Sequence, residues 1–244
     1  MILSNTVEGV LFDIDDTLVD TRGAFAHAMN VIAGKYLPGV GVAEQPKVLE
    51  LWRADPSGYY RAYTRGEMTA REQRMARANQ LHETFGGRNL SDDDFEVWDA
   101  EFMAAFRAGW KPFDESRTVI DTLRSRGYRV GALTNAGLAL QTEKMRVCGL
   151  SDVDVLVTLD TFGVGKPDPR VFQEATRLLG TEPGVTAYVG DEPDIDALAA
   201  LGAGLGAGIW VDRPGARRGG AHTEDPAAVA RAGISTITSL TELL

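Results

Sequence analysis

A short apolar run that ends in a group of aspartates constrains the fold of this chain more than any other stretch. Residues 10–12 (Val-Leu-Phe) are long enough for one buried parallel strand, and Asp13, Asp15 and Asp16 follow at once. In an open α/β sheet the carboxyl end of a strand faces the ligand crevice, so this strand is expected to deliver acids to a site. Taken alone, the same residues are equally typical of a strand that ends in a polar turn.

Further strands alternate with helices in the second half of the chain. Apolar runs predict strands at residues 129–133, 153–158, 185–189 and 207–211, and a helix is predicted over 195–201. Strands separated by helices of this length are typical of an α/β fold with a doubly wound parallel sheet. A stretch rich in glycine and proline over residues 213–225 predicts a mobile loop.

The segment between the acidic strand and this second half has a helical character. Thr69 with Glu72, and Ser91 with Asp94, have the spacing of helix-start signals, and apolar residues then recur every three or four positions. The segment therefore predicts an all-helical bundle of roughly four helices.

This bundle interrupts the α/β domain and divides the chain into two predicted domains. The core domain comprises residues 1–19 and 112–244, and the inserted helical cap domain comprises residues 20–111. Because the insertion begins directly after the acidic strand end, the cap is expected to cover the mouth of the site.

The composition argues against several classes of partner. The 244 residues carry a formal net charge of −10 at pH 7, which repels nucleic-acid backbones and anionic membranes. The one cysteine, Cys148, cannot form an internal disulfide, and no segment has the length needed to span a bilayer. The first residues also lack the pattern of a signal peptide. A cytoplasmic protein that binds neither nucleic acid nor membrane is expected.

Polar residues follow the other predicted strands as well. They are Thr134 and Asn135 after the second strand, Lys166 after the third, and Asp191 after the fourth, with Asp194 and Asp196 close behind. Each is individually as typical of a helix cap, a surface lysine or a turn. Since ligands bind at the carboxyl edge of such a sheet, we expect these residues to lie together there. Carboxylates from two strands suit Mg²⁺, and a lysine, a hydroxyl and backbone N–H groups would neutralise phosphoryl oxygens.

With these motifs the chain resembles the haloacid dehalogenase (HAD) superfamily of phosphohydrolases, in the branch with a helical cap inserted after the first strand. The matches, in the order of the family, are Asp13-Ile-Asp15-Asp16-Thr17, Thr134-Asn135, Lys166-Pro167 and Gly190-Asp191 with the acidic stretch from Asp194 to Asp196. The resemblance covers essentially the whole chain and implies a Rossmann-like core domain.

The resemblance implies catalytic roles for two aspartates. Asp13 would be the nucleophile that forms an aspartyl-phosphate. Asp15 would protonate the leaving alkoxide and then activate water, and its backbone carbonyl would also meet the metal.

The resemblance also implies how metal and phosphate are held. Mg²⁺ would be bound by Asp13, Asp15, Asp191 and one further acid, for which Asp196 fits the spacing better than Asp194. The phosphate would be gripped by Thr134, Asn135 and Lys166.

The presence of an acid at the position of Asp15 distinguishes between the reactions known in this superfamily. Its dehalogenases lack an acid at that position, so the resemblance implies a Mg²⁺-dependent phosphatase. The expected substrate is a small phosphorylated metabolite, such as a sugar phosphate or a nucleoside monophosphate. A phosphomutase, a dehalogenase-type hydrolase of the same superfamily and a catalytically silent scaffold that binds a partner are the alternatives.

Overall fold

The computed structural model describes residues 2–217 and 224–244. The chain forms two compact units, of which one comprises Met1–Asp20 with Lys111–Leu244 and the other comprises Thr21–Trp110. The loop predicted over residues 213–225 lies partly outside the described residues. Within the described part of the chain, no helix is long and apolar enough to cross a membrane.

The first unit is built on a six-stranded parallel sheet. Its strands are β1 (Gly9–Phe12), β2 (Arg129–Leu133), β3 (Leu156–Val157), β4 (Thr186–Gly190), β5 (Ala207–Val211) and β6 (Ser235–Ile237), in the order β3-β2-β1-β4-β5-β6. Phe12 of β1 is in register with Ala132 on one side and with Val189 on the other. The strand order reverses beside β1, and such a switch point opens a ligand crevice at the carboxyl edge. The predicted α/β fold class is confirmed.

The second unit is helical in its described secondary structure. Its helices are α1 (Thr21–Tyr36), α2 (Gln45–Ala54), α3 (Tyr59–Thr64), α4 (Ala70–Phe85) and α5 (Asp92–Ala108). The Thr69 hydroxyl accepts the Glu72 N–H at 3.2 Å, and the Glu72 carboxylate accepts the Thr69 N–H at 2.7 Å. The Ser91 hydroxyl likewise accepts the Asp94 N–H at 3.2 Å. Both helix starts read from the sequence are therefore confirmed.

Aromatic side chains form the core of this helical unit. The ring centroids of Phe25 and Phe106 lie 4.4 Å apart, those of Trp52 and Phe102 5.1 Å, and those of Trp98 and Phe102 5.3 Å. Offset and tilted pairs at such distances stabilise a core beyond the burial of their area.

The sheet is flanked by the remaining helices of the first unit. They are α6 (Ser116–Ser125), α7 (Leu138–Val147), α8 (Pro169–Leu179), α9 (Ala199–Gly202) and α10 (Pro226–Arg231), with a π-helical turn at Pro193–Leu198. The helix predicted over 195–201 thus begins earlier, because Pro193 fits a first turn and the Asp196 carboxylate accepts the Glu192 N–H at 2.9 Å. The strand predicted over 153–158 is only two residues long, and β6 was not predicted because its Ser-Thr start is polar and exposed.

Candidate active site

Backbone hydrogen bonds of the sheet place the predicted acids and phosphate residues at one edge. The Asp13 N–H donates to the Val189 carbonyl at 2.8 Å, and the Thr134 N–H donates to the Val157 carbonyl at 3.0 Å. Both residues therefore continue the strands that precede them. Asp191 comes directly after β4, the strand beside β1, at the same carboxyl edge of the sheet.

Lys166 brings two of the acids together. Its ammonium donates to Asp13 Oδ1 at 2.6 Å, to Asp196 Oδ1 at 2.6 Å and to the Tyr188 hydroxyl at 2.8 Å. The Tyr188 hydroxyl in turn donates to the Leu133 carbonyl at 2.9 Å. A buried ammonium needs such partners for all three of its protons, and here the acids and Tyr188 supply them.

Three buried carboxylates form a group that suits a divalent cation. One oxygen from each of Asp13, Asp191 and Asp196 lies within 4.8 Å of the others. Burial, assisted by the charges of Asp196 and Asp15, raises the pKa of Asp13 to about 8 although the Lys166 ammonium opposes the shift. With Asp13 ionised, three carboxylates and one ammonium leave two formal negative charges, which a divalent cation would balance. The oxygen donors and their burial fit Mg²⁺.

Two further contacts shape this carboxylate group. A Cβ atom on Gly190 would lie 2.3 Å from Asp196 Oδ2, so only glycine leaves room for that carboxylate. The Trp210 indole N–H donates to the Asp191 carbonyl at 2.9 Å and holds the backbone of that acid.

Asp15 has a different environment from the carboxylate group. Its Oδ1 accepts a hydrogen bond from Lys144 Nζ at 2.5 Å, and its Oδ2 accepts one from Gln141 Nε2 at 2.6 Å. Its side chain is 22% exposed, whereas that of Asp13 is 7% exposed. Asp13 and Asp15 are thus held by different partners, and Asp15 retains access to solvent.

A comparison with family models identifies the family of this chain. The model of the haloacid dehalogenase-like hydrolases matches residues 7–204. The chain belongs to this family. The predicted superfamily and the predicted hydrolase class of enzyme are thereby confirmed.

Named relatives of this HAD hydrolase include phosphatases. A glyceraldehyde 3-phosphate phosphatase from Methanothermobacter thermautotrophicus is 30% identical over 210 residues, which are 82% of this chain and 84% of that protein. An N-acylneuraminate-9-phosphatase from Mus musculus is 27% identical over 215 residues, 86% of this chain and 84% of that protein. The solved structure of a dehalogenase with an intermediate complex has a TM-score of 0.75 at 21% identity, over 99% of this chain and 97% of that chain, and shows the shared fold.

The residues predicted to hold phosphate have specific contacts in this HAD hydrolase. The Thr134 hydroxyl accepts hydrogen bonds from the Ala136 N–H at 3.2 Å and from Gln141 Nε2 at 3.0 Å, so its own proton is directed elsewhere. The Asn135 amide pairs with the backbone of Lys166, accepting its N–H at 2.6 Å and donating to its carbonyl at 2.9 Å. Asn135 therefore fixes the loop that carries Lys166.

Sequence reasoning missed three residues of the site, namely Gln141, Lys144 and Tyr188. A tyrosine inside a fully buried strand was one available signal, because its hydroxyl needs a partner. A glutamine and a lysine on one face of α7 were another, since Gln141 and Lys144 are buried while Thr142 is exposed. The choice between Asp194 and Asp196 was left open, and Asp196 is the one in the carboxylate group.

Proposed function

We propose that this HAD hydrolase is a Mg²⁺-dependent phosphatase that acts on a small phosphorylated metabolite through an aspartyl-phosphate at Asp13. The observation that carries the proposal is the different surroundings of Asp13 and Asp15. Asp13 lies in the buried carboxylate group, while Asp15 is held apart by Lys144 and Gln141. This separation supports Asp13 as the nucleophile and Asp15 as the acid that transfers the proton.

In the first step, a carboxylate oxygen of Asp13 attacks phosphorus and forms the P–O bond of the aspartyl-phosphate. The ester P–O bond breaks, and Asp15 gives its proton to the departing alkoxide. Lys166, already 2.6 Å from Asp13 Oδ1, orients the attacking carboxylate, and the free proton of Thr134 is available to a phosphoryl oxygen.

In the second step, Asp15 removes a proton from water as the water oxygen attacks phosphorus. The P–O bond to Asp13 breaks, inorganic phosphate leaves and Asp13 is regenerated. Because Asp15 has regained its proton, the cycle closes with no net change in the enzyme.

The metal would be held by Asp13, Asp191 and Asp196, with the Asp15 backbone carbonyl as a further ligand. When bound, Mg²⁺ offsets the negative charge of the carboxylates and the phosphoryl group, which allows one anion to approach another.

Two features support a small metabolite as the substrate. The two relatives described above are named as phosphatases of small phosphorylated metabolites. Inserted helices after the first strand are also present, and we propose that they form a cap that admits a sugar phosphate or a nucleoside monophosphate.

The test is a panel of phosphorylated metabolites and para-nitrophenyl phosphate, assayed for inorganic phosphate with Mg²⁺ and with a chelator. Asp13→Asn is expected to lower turnover by about four orders of magnitude or more, because the amide removes the nucleophile. Asp114→Asn, at an exposed position of the same unit, is the matched control and should retain activity. Full turnover by Asp13→Asn, or no phosphate release by the native protein with Mg²⁺, would contradict the proposal. Conversion of the substrate into an isomer without phosphate release would indicate a mutase instead.

A further inference from the structure

We infer that Gln141 and Lys144 are positioning residues for Asp15, which hold its carboxylate in place for proton transfer to the leaving group. The inference rests on the proposed phosphatase reaction and assigns a role to two residues of α7 outside the four sequence motifs. It is carried by the contacts of these side chains, by their burial and by their place on one face of the helix.

Each oxygen of Asp15 has its own donor on α7. Lys144 Nζ lies 2.5 Å from Oδ1, and Gln141 Nε2 lies 2.6 Å from Oδ2. Residues three apart on a helix share a face, so the two donors approach the carboxylate side by side. A carboxylate held at both oxygens cannot rotate, and each carboxylate oxygen has two lone pairs.

Gln141 also connects Asp15 to Thr134, one of the residues predicted to bind the phosphate. The same Nε2 donates to the Thr134 hydroxyl at 3.0 Å, so one amide group spans Asp15 and Thr134. The reversed amide would turn Oε1 toward the Asp15 carboxylate and would be repelled by it, so the contacts determine the orientation of the amide. Gln141 thereby fixes the relative placement of the leaving-group acid and the phosphate-facing hydroxyl.

Lys144 supplies a buried positive charge at this point. Its side chain is 1% exposed, and an ammonium so far from water is stable only beside an anion. The ammonium of Lys166 contacts Asp13 and Asp196, so Asp13 and Asp15 are paired with different lysines. This arrangement keeps Asp15 from turning toward Lys166 and the carboxylate group, where it would compete with Asp13.

The test measures kcat/KM for alkyl phosphates and for para-nitrophenyl phosphate, because this parameter covers the steps through cleavage of the ester bond. para-Nitrophenolate leaves without a proton, whereas an alkoxide needs one from Asp15. Gln141→Met and Lys144→Met are expected to lower kcat/KM for alkyl phosphates by about 10- to 100-fold more than for para-nitrophenyl phosphate, since acid catalysis of this kind contributes about 100-fold or more. Asp15→Asn should show the same selectivity, and Lys144→Arg, which keeps the charge, should partly restore the alkyl reaction.

Matched controls separate positioning from a structural role. Thr142→Met and Arg146→Met change exposed residues of the same helix and should leave both reactions at the native rate. If Gln141→Met and Lys144→Met lower kcat/KM equally for alkyl phosphates and para-nitrophenyl phosphate, or do not lower it, the inference is overturned while the phosphatase proposal stays intact. If Lys144→Met does not fold, as judged by circular dichroism, Gln141→Met and Lys144→Arg test the inference instead. The quantity compared is again the loss in kcat/KM for alkyl phosphates relative to the loss for para-nitrophenyl phosphate. Absence of phosphate release by the native protein from every compound of the panel, with Mg²⁺ present, would overturn the proposed function, and this inference with it.

Discussion

Two glycines of the site are required by the side chains that they face. A Cβ on Gly190 would lie 2.3 Å from Asp196 Oδ2, and a Cβ on Gly165 would lie 2.3 Å from Asn135 Oδ1. Real atoms do not approach so closely, so each added methyl group would displace a polar group of the site. Their role is to leave space, which distinguishes them from glycines that are needed for a left-handed turn.

Gly190→Ala is therefore expected to displace the Asp196 carboxylate from its place beside Asp13. We expect the Mg²⁺ concentration for half-maximal phosphatase activity to rise by about 10- to 100-fold, the usual cost of disturbing a group that orients a metal ligand. Gly202→Ala is the matched control, because a Cβ there meets no atom within 4 Å. An unchanged Mg²⁺ dependence in Gly190→Ala would contradict this prediction, because it would show that displacing the Asp196 carboxylate does not weaken the metal site.

Among the elements, the π-helical turn at Pro193–Leu198 decides which acid joins the carboxylate group. Asp196 Oδ2 accepts the Glu192 N–H at 2.9 Å, and its Oδ1 faces Lys166. Asp194 instead accepts the Ile195 N–H at 3.0 Å. Their spacing after β4 favoured Asp196 but did not exclude Asp194, because only the winding of this turn sends one acid inward.

The effect of Mg²⁺ on the stability of the folded protein should distinguish Asp196, which lies in the carboxylate group, from Asp194, which does not. A ligand that binds only the folded state stabilises it, by about 2.7 kcal/mol at one hundred times its dissociation constant. We expect Mg²⁺ to raise the melting temperature of the native protein and of Asp194→Asn, and to have little effect on Asp196→Asn. Differential scanning fluorimetry with and without EDTA measures this without any substrate. A Mg²⁺ response that is lost in Asp194→Asn and kept in Asp196→Asn would reverse the assignment.

Across the whole molecule, stability also depends on a buried histidine in the helical unit. His82 is 1% exposed, its Nδ1 lies 2.5 Å from the Arg88 carbonyl, and its Nε2 is buried with no hydrogen-bond partner among the described residues. Burial, with the nearby charge of Arg88, lowers the pKa of His82 below its ordinary value of 6.5, although the hydrogen bond to the carbonyl acts in the opposite direction. A proton on Nε2 would be buried without an acceptor, which explains the shift.

The free energy of unfolding should accordingly fall as the solution is acidified. Because the folded-state pKa lies below that of the unfolded chain, the unfolded chain takes up the proton first. The contribution of His82 is fully present above a pH of about 6.5 and is lost as the pH falls through the folded-state pKa. Denaturant unfolding from pH 8 to pH 5 should show a shallower loss in His82→Asn than in His27→Asn, an exposed histidine of the same unit. Parallel curves for the two variants would contradict this role.

Much of the fold was predictable because the signals are local. The apolar run before Asp13 predicts β1, and Thr69 with Glu72 predicts the start of α4, since an apolar run and a helix cap are patterns of residues close together in the chain. The rule that parallel strands present their carboxyl ends at one edge then predicted that Asp13, Thr134 and Asp191 lie at a common edge. β6 was not predicted, because a short, partly exposed strand at the sheet edge has no strong apolar pattern.

By itself, the sequence determined the α/β class, the helical insertion and the residues at the strand ends, because periodicity and motif order are properties of the chain. Only the tertiary structure decided the partners of those residues. Tyr188 reaches Lys166, and Gln141 and Lys144 reach Asp15, from segments far away in the chain. Such contacts depend on the packing of a helix or strand against the sheet to within a hydrogen-bond length, which no local pattern specifies. The identity of the acid at the strand end was therefore readable, while its geometry for proton transfer was set by the fold.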